Sequence, residues 1–203
     1  MNHKDQWNRR FADEAYVFGT TPNRFLTQQA HRLSPGSHVL AVADGEGRNG
    51  VWLAGQGHAV TSVDIADAGQ SKAVRLAAER GVELAFITAD LLAWQWPADR
   101  YDAVVAIFIQ FAAPHEREIL FDGMKRATRP GGLLLMQGYR PEQLGYGTGG
   151  PPMVENLYTE ALLRDAFAGW AIEHLAVHDS VIEEGPGHSG MSALIDLVAR
   201  RPD

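Results

Sequence analysis

Short apolar runs alternate with amphipathic stretches along most of the chain. Residues 37–42 (SHVLAV), 59–64 (AVTSVD), 84–88 (LAFIT), 101–108 (YDAVVAIF) and 132–137 (GLLLMQ) have strand length and few polar positions. Runs of this kind suit strands covered on both faces, hence parallel ones. Between them lie EGRNGVWLAGQG, DAGQSKAVRLAAERG and PHEREILFDGMKRATRPGG. The last opens at Pro114 and closes at Pro130, Gly131 and Gly132, the punctuation of a helix start and stop. Repeated strand–helix–strand units predict a doubly wound, mostly parallel α/β sheet.

Both ends depart from this rhythm. Thr21 and Pro22 read as N-cap and first residue of a helix over NRFLTQQAHRL, so residues 1–36 form a helical cap before the sheet. Near the other end Thr159 can cap EALLRDAF, stopped by Gly169. Two strand-like runs follow, at about 171–182 and 191–199, joined through EEGPGHSG. They predict an antiparallel C-terminal hairpin. Residues 138–158, GYRPEQLGYGTGGPPMVENLY, show neither helical nor strand period. A long irregular stretch after a parallel strand lies at the ligand edge of such a sheet and reads as a lid. The expected organisation is one domain, 1–203, with a cofactor-binding core at 37–137, the lid at 138–158, and a helix and hairpin at 159–203.

Composition narrows the function. The formal net charge is -7 and the basic pairs are scattered, so a nucleic-acid partner is not expected. The chain contains no cysteine, which excludes disulfides, thiolate nucleophiles and cysteine-ligated zinc. The N-terminal MNHKDQWNRR has no apolar signal core, and no apolar run is long enough to span a bilayer. A cytoplasmic location with no membrane partner is the expectation.

The chemistry concentrates in VLAVADGEGRNGVWLA, where Gly45, Gly47 and Gly50 make a GxGxxG after the first strand. A dinucleotide would place its pyrophosphate there, on the N–H groups of the next helix. Asp44 and Glu46 would repel it. S-adenosylmethionine carries a sulfonium and an ammonium and no phosphate, so acidic side chains suit it. Charges about 4 Å apart interact by roughly 4 kcal/mol at an effective dielectric of 20, enough to set the sign of the preference. Asp64, ending the second strand, can accept from two ribose hydroxyls, in NAD as well. Asp90 follows the third strand, where it can accept from an adenine amino group while Leu91 packs on the ring.

These motifs, with VTSVDIA, TADLLAW, YDAVVAIF and RATRPGGLLLMQGY, resemble in order and spacing those of class I S-adenosylmethionine-dependent methyltransferases. EAYVFGTTPNRFL, PEQLGYGTGGPP and GHSGMSALIDLVAR look like the tellurite-resistance and thiopurine-methyltransferase-like branch. The resemblance implies a Rossmann-like, seven-stranded sheet with an antiparallel last strand. It implies cofactor contacts at Gly45 and Gly47 for the methionine part, Asp64 at the ribose, Asp90 and Leu91 at the adenine, and Ile107 beside the methionine, with Ile65 also among the cofactor-binding residues. S-adenosylhomocysteine would be the product. Ala41 stands where the family usually has an acid and Ala43 where it has a glycine; either Asp44 takes over the acid's role or cofactor binding is weakened.

Methyl transfer needs alignment and water exclusion more than a conspicuous catalytic motif. The expected acceptor is a small molecule, with thiols and chalcogen oxyanions such as tellurite or selenite as the soft candidates. His188 is a candidate base or positioning group, with an exposed loop histidine as the alternative. Arg140, Tyr139 and Tyr146 flank the lid and can bind an anionic acceptor. Tyr16 and Phe18 can cap the cofactor or pack in the core, and Gln110 can line the acceptor pocket. No metal is expected: His174 and His178, four residues apart on a strand, lie roughly 13 Å apart. An NAD(P)-dependent oxidoreductase and a non-enzymatic module on a degenerate methyltransferase fold stay open as rivals.

Overall fold

The structure is a computed structural model that describes residues 2–203. Seven strands form one sheet: β1 (His38–Val42), β2 (Ala59–Asp64), β3 (Ala85–Thr88), β4 (Tyr101–Ile107), β5 (Thr128–Tyr139), β6 (Ala171–Glu183) and β7 (Ser189–Arg200). Their order is β3-β2-β1-β4-β5-β7-β6. The first five pair in parallel; β7 joins β5 antiparallel, and β6 joins β7 antiparallel. The sequence pattern anticipates this architecture, because buried parallel strands need apolar residues on both faces.

Alternation along β1 shows it directly. Leu40 and Val42 face a core layer containing Leu120, Phe121, Met124, Leu163 and Phe167. Val39 and Ala41 face the other layer, with Phe25, Leu26 and Leu53. Helices α5 (Pro114–Ala127) and α7 (Glu160–Ala166) therefore cover one face. Helices α2 (Arg24–Gln29) and α3 (Arg48–Gly55) cover the other, where α4 (Asp67–Arg80) packs beside α3. A short α1 (His3–Arg10) precedes them, and a four-residue α6 (Gln143–Tyr146) follows β5.

Several boundaries differ from the sequence expectation. The cap of α2 is Asn23, whose side chain accepts from Leu26 N, and not Thr21. Its amide is also bonded to Gln137 and Glu184, so tertiary partners select the cap. Helix α5 stops at Ala127, before Pro130, because Thr128 is already extended and pairs with Tyr101. The strand register shifts at that point to absorb Pro130, Gly131 and Gly132. Residues 138–158 are not wholly irregular: they hold the end of β5, α6 and a 3-10 turn at Val154–Asn156. Gln143 fixes this segment to β7, its side-chain oxygen accepting from Ala193 N at 2.8 Å.

Candidate functional site

The turn between β1 and α3 is built from carboxylates that accept backbone N–H groups. Asp64 Oδ2 accepts from Gly45 N and its Oδ1 from Ala66 N, each at 2.8 Å. Asp44 accepts from Gly50 N at 3.2 Å and from the Ser62 hydroxyl at 2.9 Å. A Cβ on Gly50 would lie 2.4 Å from Asp44 Oδ2, so glycine is needed to seat that carboxylate. Gly47 has φ 85° and passes α4 so closely that a Cβ would sit 2.5 Å from that of Ala73. Burial pushes the Asp44 carboxyl up to about 7, against its hydrogen bonds to Ser62 and Gly50. Burial raises Asp64 as well.

A cavity of about 330 Å³ opens beyond the C-terminal ends of the central strands. This is where a doubly wound sheet places ligands, at the reversal of strand order between β1 and β4. Two residues there hold left-handed backbone without being glycine: Ala43 (φ 48°), just past β1, and Phe108 (φ 55°), just past β4. Toward β2 and β3 the cavity is lined by Asp44, Gly45, Asp64, Ile65, Asp90 and Leu91. Toward β5 and the hairpin turn it is lined by aromatic side chains, among them Phe18, Phe108, Tyr139 and His188. Helix α1 contributes His3, Gln6, Trp7 and Arg10, and residues 150–153 close the rim.

His188 is packed, not exposed. Its ring lies 4.4 Å from Phe18 and 4.5 Å from Phe108, centroid to centroid, and it is 8% exposed. Burial, with Arg48 and Arg10 nearby, drives its pKa down to about 3, so the imidazole is neutral around pH 7. Its Nδ1 and the Tyr139 hydroxyl are buried without a hydrogen-bond partner. Arg48, the cation of the glycine turn, is committed elsewhere: it pairs with Glu184 at 2.6 Å, both out of water. Glu184 also accepts from Asn23, which bonds Gln137, which in turn donates to Asp196 at 2.6 Å. This buried polar chain ends at His178, whose Nε2 lies 3.0 Å from Asp196.

Most of the residues singled out in the sequence meet at this cavity. Asp44, Gly45, Asp64, Ile65, Asp90, Leu91 and Ile107 line it, as do Phe18, Gln110, Tyr139 and His188. Gln110 spends its amide on Tyr139 and Asn156, so it shapes the wall and has little left to offer a ligand. Five residues lie elsewhere. Glu46 turns under the loop to Lys72 and the backbone of Val17 and Phe18, which removes it from the charge argument. Gly47 serves the packing of α3 on α4. Tyr16 is bonded to Lys72 O. Arg140 points to Asp179 and Glu142, and Tyr146 donates to Asp179 at 3.0 Å.

His174 and His178 lie four residues apart on the same strand, β6, on either side of the position that pairs with Asp196. Both rings lean toward one carboxylate oxygen of Asp196, at 4.0 and 3.0 Å. Among the described residues, no group of three or more His, Cys, Asp or Glu could hold a metal ion. Among the described residues, no helix is long and apolar enough to cross a membrane. Sequence reasoning missed Trp7, Arg10, Arg48 and Glu184. The last two are 136 residues apart, so no local pattern signals their pairing.

The donor set fits S-adenosylmethionine. Three carboxylates line the part of the cavity beside the glycine turn, and the turn's one arginine is neutralised, which suits a cationic ligand with a ribose diol and not a pyrophosphate. Comparison with known proteins agrees. A methyltransferase domain family matches residues 39–132. The thiopurine S-methyltransferase of Pseudomonas putida (strain F1) is 31% identical, covering 96% of both chains. The structure reported for conversion of a disulfide bond into a thioacetal group during echinomycin biosynthesis superimposes with a TM-score of 0.79, at 22% identity, over 99% of this chain and 92% of that one. Magnesium protoporphyrin IX methyltransferase from Synechocystis, with bound S-adenosylhomocysteine, superimposes with a TM-score of 0.70, at 18% identity, over 98% of this chain and 97% of that one. A match of this identity over nearly the whole of both sequences settles the family: the chain belongs to the thiopurine-methyltransferase-like branch of the class I S-adenosylmethionine-dependent methyltransferases.

Proposed function

We propose that the methyl acceptor is a small, soft anion, a thiolate or a chalcogen oxyanion such as tellurite or selenite. The observation that carries this reading is the state of His188. It is packed between Phe18 and Phe108 on the hairpin side of the cavity, and burial holds it neutral with very low proton affinity. Such a group can orient an acceptor through Nδ1 but cannot take a proton from an amine or alcohol at neutral pH. An acceptor that arrives ionised needs no base. The relatives' name, thiopurine S-methyltransferase, specifies a sulfur acceptor and supports the thiolate.

When bound, S-adenosylmethionine supplies an electrophilic methyl group on a cationic sulfur. Asp64 and Asp90 would hold its ribose and adenine, with Leu91 and Ile65 against the ring system. Gly45 and Ile107 would border the methionine part, and Asp44 would face its positive charge. Phe18, Phe108 and Tyr139 exclude water from the acceptor side, which raises the reactivity of a desolvated anion. Residues 150–153 and α1 cover the site and act as its lid.

A screen of thiols, selenite, tellurite and amines, read as S-adenosylhomocysteine release, tests the acceptor class. Turnover confined to thiols or chalcogen oxyanions is expected. Turnover of amines alone would overturn it.

A further inference from the structure

We propose that Arg10 is the anion anchor for the methyl acceptor: its guanidinium, stacked over Trp7 and Phe18 at the cavity wall, pairs with the acceptor's negative charge. The inference rests on the reading that the acceptor occupies the aromatic side of the cavity. Arg10 is the last residue of α1 and lines the cavity. Its guanidinium carbon lies 5.5 Å from the Trp7 ring centre and 5.2 Å from that of Phe18. Two aromatic faces hold it in place at low entropic cost, so less is lost when it forms a bond to a ligand.

The other cation of the cavity wall is taken. Arg48 has its carboxylate partner, Glu184, at 2.6 Å. The imidazole of His3 lies 3.5 Å from Glu116. Arg10 forms no ion pair with a described carboxylate, although the chain carries a net charge of -7 and has acids to spare. An arginine that is aligned but unpaired beside a pocket presents free donors to whatever enters. Phe18 links Arg10 to His188: it lies under the guanidinium, and its ring centre is 4.4 Å from that of the imidazole. Among the described residues, the acceptor side of the cavity therefore has one uncompensated positive charge, and the opposite side has Asp44, Asp64 and Asp90. That polarity sorts a cationic donor from an anionic acceptor.

The chemistry balances without a base. The acceptor's electron pair forms the new bond to the methyl carbon as the carbon–sulfur bond breaks, and the broken bond's pair stays on sulfur. A sulfonium and an anion become a neutral thioether and a methylated acceptor, and no proton moves. Arg10 contributes by holding the acceptor ionised and in place. Because its charge is spread over a guanidinium resting on aromatic faces, it pairs with a soft anion without the tight hydration shell of an ammonium.

The test measures binding, not turnover. Protein saturated with S-adenosylhomocysteine is titrated calorimetrically with benzenethiolate and with phenol, un-ionised at pH 8, for wild type, Arg10→Gln and Arg10→Lys. Wild type should prefer the thiolate by about tenfold or more, equivalent to ~1.4 kcal/mol. Arg10→Gln should lose most of that preference and Arg10→Lys should keep part of it. Affinity for S-adenosylhomocysteine should be unchanged in all three, which also shows that the variants fold. A preference retained in Arg10→Gln, or absent from wild type, overturns the anchor. Failure of wild type to bind S-adenosylhomocysteine would instead overturn the assignment of the cavity itself, and the anchor with it.

Discussion

Glu46 and Lys72 form an ion pair at 2.8 Å beneath the glycine turn, each less than a tenth exposed. Glu46 also accepts from Val17 N at 2.9 Å and Phe18 N at 3.1 Å, while Lys72 donates to Ala15 O at 2.7 Å. Two charges this deep survive only because their remaining hydrogen-bonding capacity is met by backbone. The pair thereby clamps residues 15–18 to α4. Phe18, which this clamp positions, is a wall of the cavity. A buried carboxylate in the glycine turn is thus structural, and it builds the site from behind.

Glu46→Ala should destabilise the fold by about 3–5 kcal/mol, because it leaves the Lys72 ammonium buried and unpaired. The double change Glu46→Leu with Lys72→Met should cost much less than the sum of the single changes. Urea denaturation of wild type, Glu46→Ala, Glu46→Leu, Lys72→Met and the double variant checks this. Single variants within about 0.5 kcal/mol of wild type would show that the pair does not hold the segment.

The sheet and the acidic strand ends were legible in the sequence because both follow from local rules. Apolar runs of strand length between capped helices specify the topology, and Asp64 and Asp90 are read from their positions just after those runs. What lay beyond reach was side-chain direction and long-range partners. Tyr139 and Arg140 are neighbours, and near the end of β5 one faces the cavity while the other turns to Asp179. Alternation along a strand makes a one-residue difference decide which of them can touch a ligand. Glu46 and Asp44 look alike in the sequence and face opposite ways. Trp7 and Arg10 sit on a helix with no fully buried residue, so nothing in its own pattern says what it covers.

Ala43→Gly should stabilise the protein by about 1 kcal/mol. Ala43 holds φ 48°, a conformation that costs a residue with a Cβ roughly 1–2 kcal/mol and costs glycine little. For a chain of this size the melting temperature should rise by ~2–4 °C. An unchanged or lower melting temperature would mean that the Ala43 methyl gains more from packing than its backbone loses.

Asp64→Ala and Asp90→Ala should each weaken cofactor binding by roughly 1.5–3 kcal/mol, the value of a hydrogen bond to a charged group. Their effects on stability should differ. Asp64 is 6% exposed and holds Gly45 N and Ala66 N, so its loss should also lower the urea midpoint. Asp90 is exposed and accepts locally from Leu92 N, so its loss should leave the midpoint in place. Calorimetry finding wild-type affinity in either variant removes that residue from the site.

Residues 150–153 should be the first part of the 138–158 segment cut by a non-specific protease, and S-adenosylhomocysteine should slow the cut. The rest of the segment is held by β5, by Gln143 on Ala193 N and on Thr148 and Gly149, by the Thr148 hydroxyl on Met191 O and by the Tyr158 N–H on Tyr139 O, which leaves the glycine- and proline-rich rim to move. Cleavage at equal rates with and without ligand would show that this rim does not close.

Asp44 gives the most direct test of how the cavity reads charge. Its carboxyl ionises near 7 in the folded protein against 3.8 for an ordinary aspartate, so between those values the folded state binds more protons than the unfolded one. Its contribution to stability therefore falls as pH rises from about 4 to 7, and Asp64, raised in the same direction, adds to the slope. Asp44→Asn, neutral throughout, should flatten the dependence of the urea midpoint on pH between about 4 and 7. The ligand should reverse the preference. A sulfonium beside Asp44 favours the carboxylate, so binding S-adenosylmethionine expels a proton and its affinity should climb from pH 6 to pH 8. S-adenosylhomocysteine lacks that charge and should climb less. In Asp44→Asn the two pH profiles should run parallel. If they are already parallel in wild type, Asp44 meets only the ammonium that both ligands share, and the methyl-bearing sulfur is read by another group.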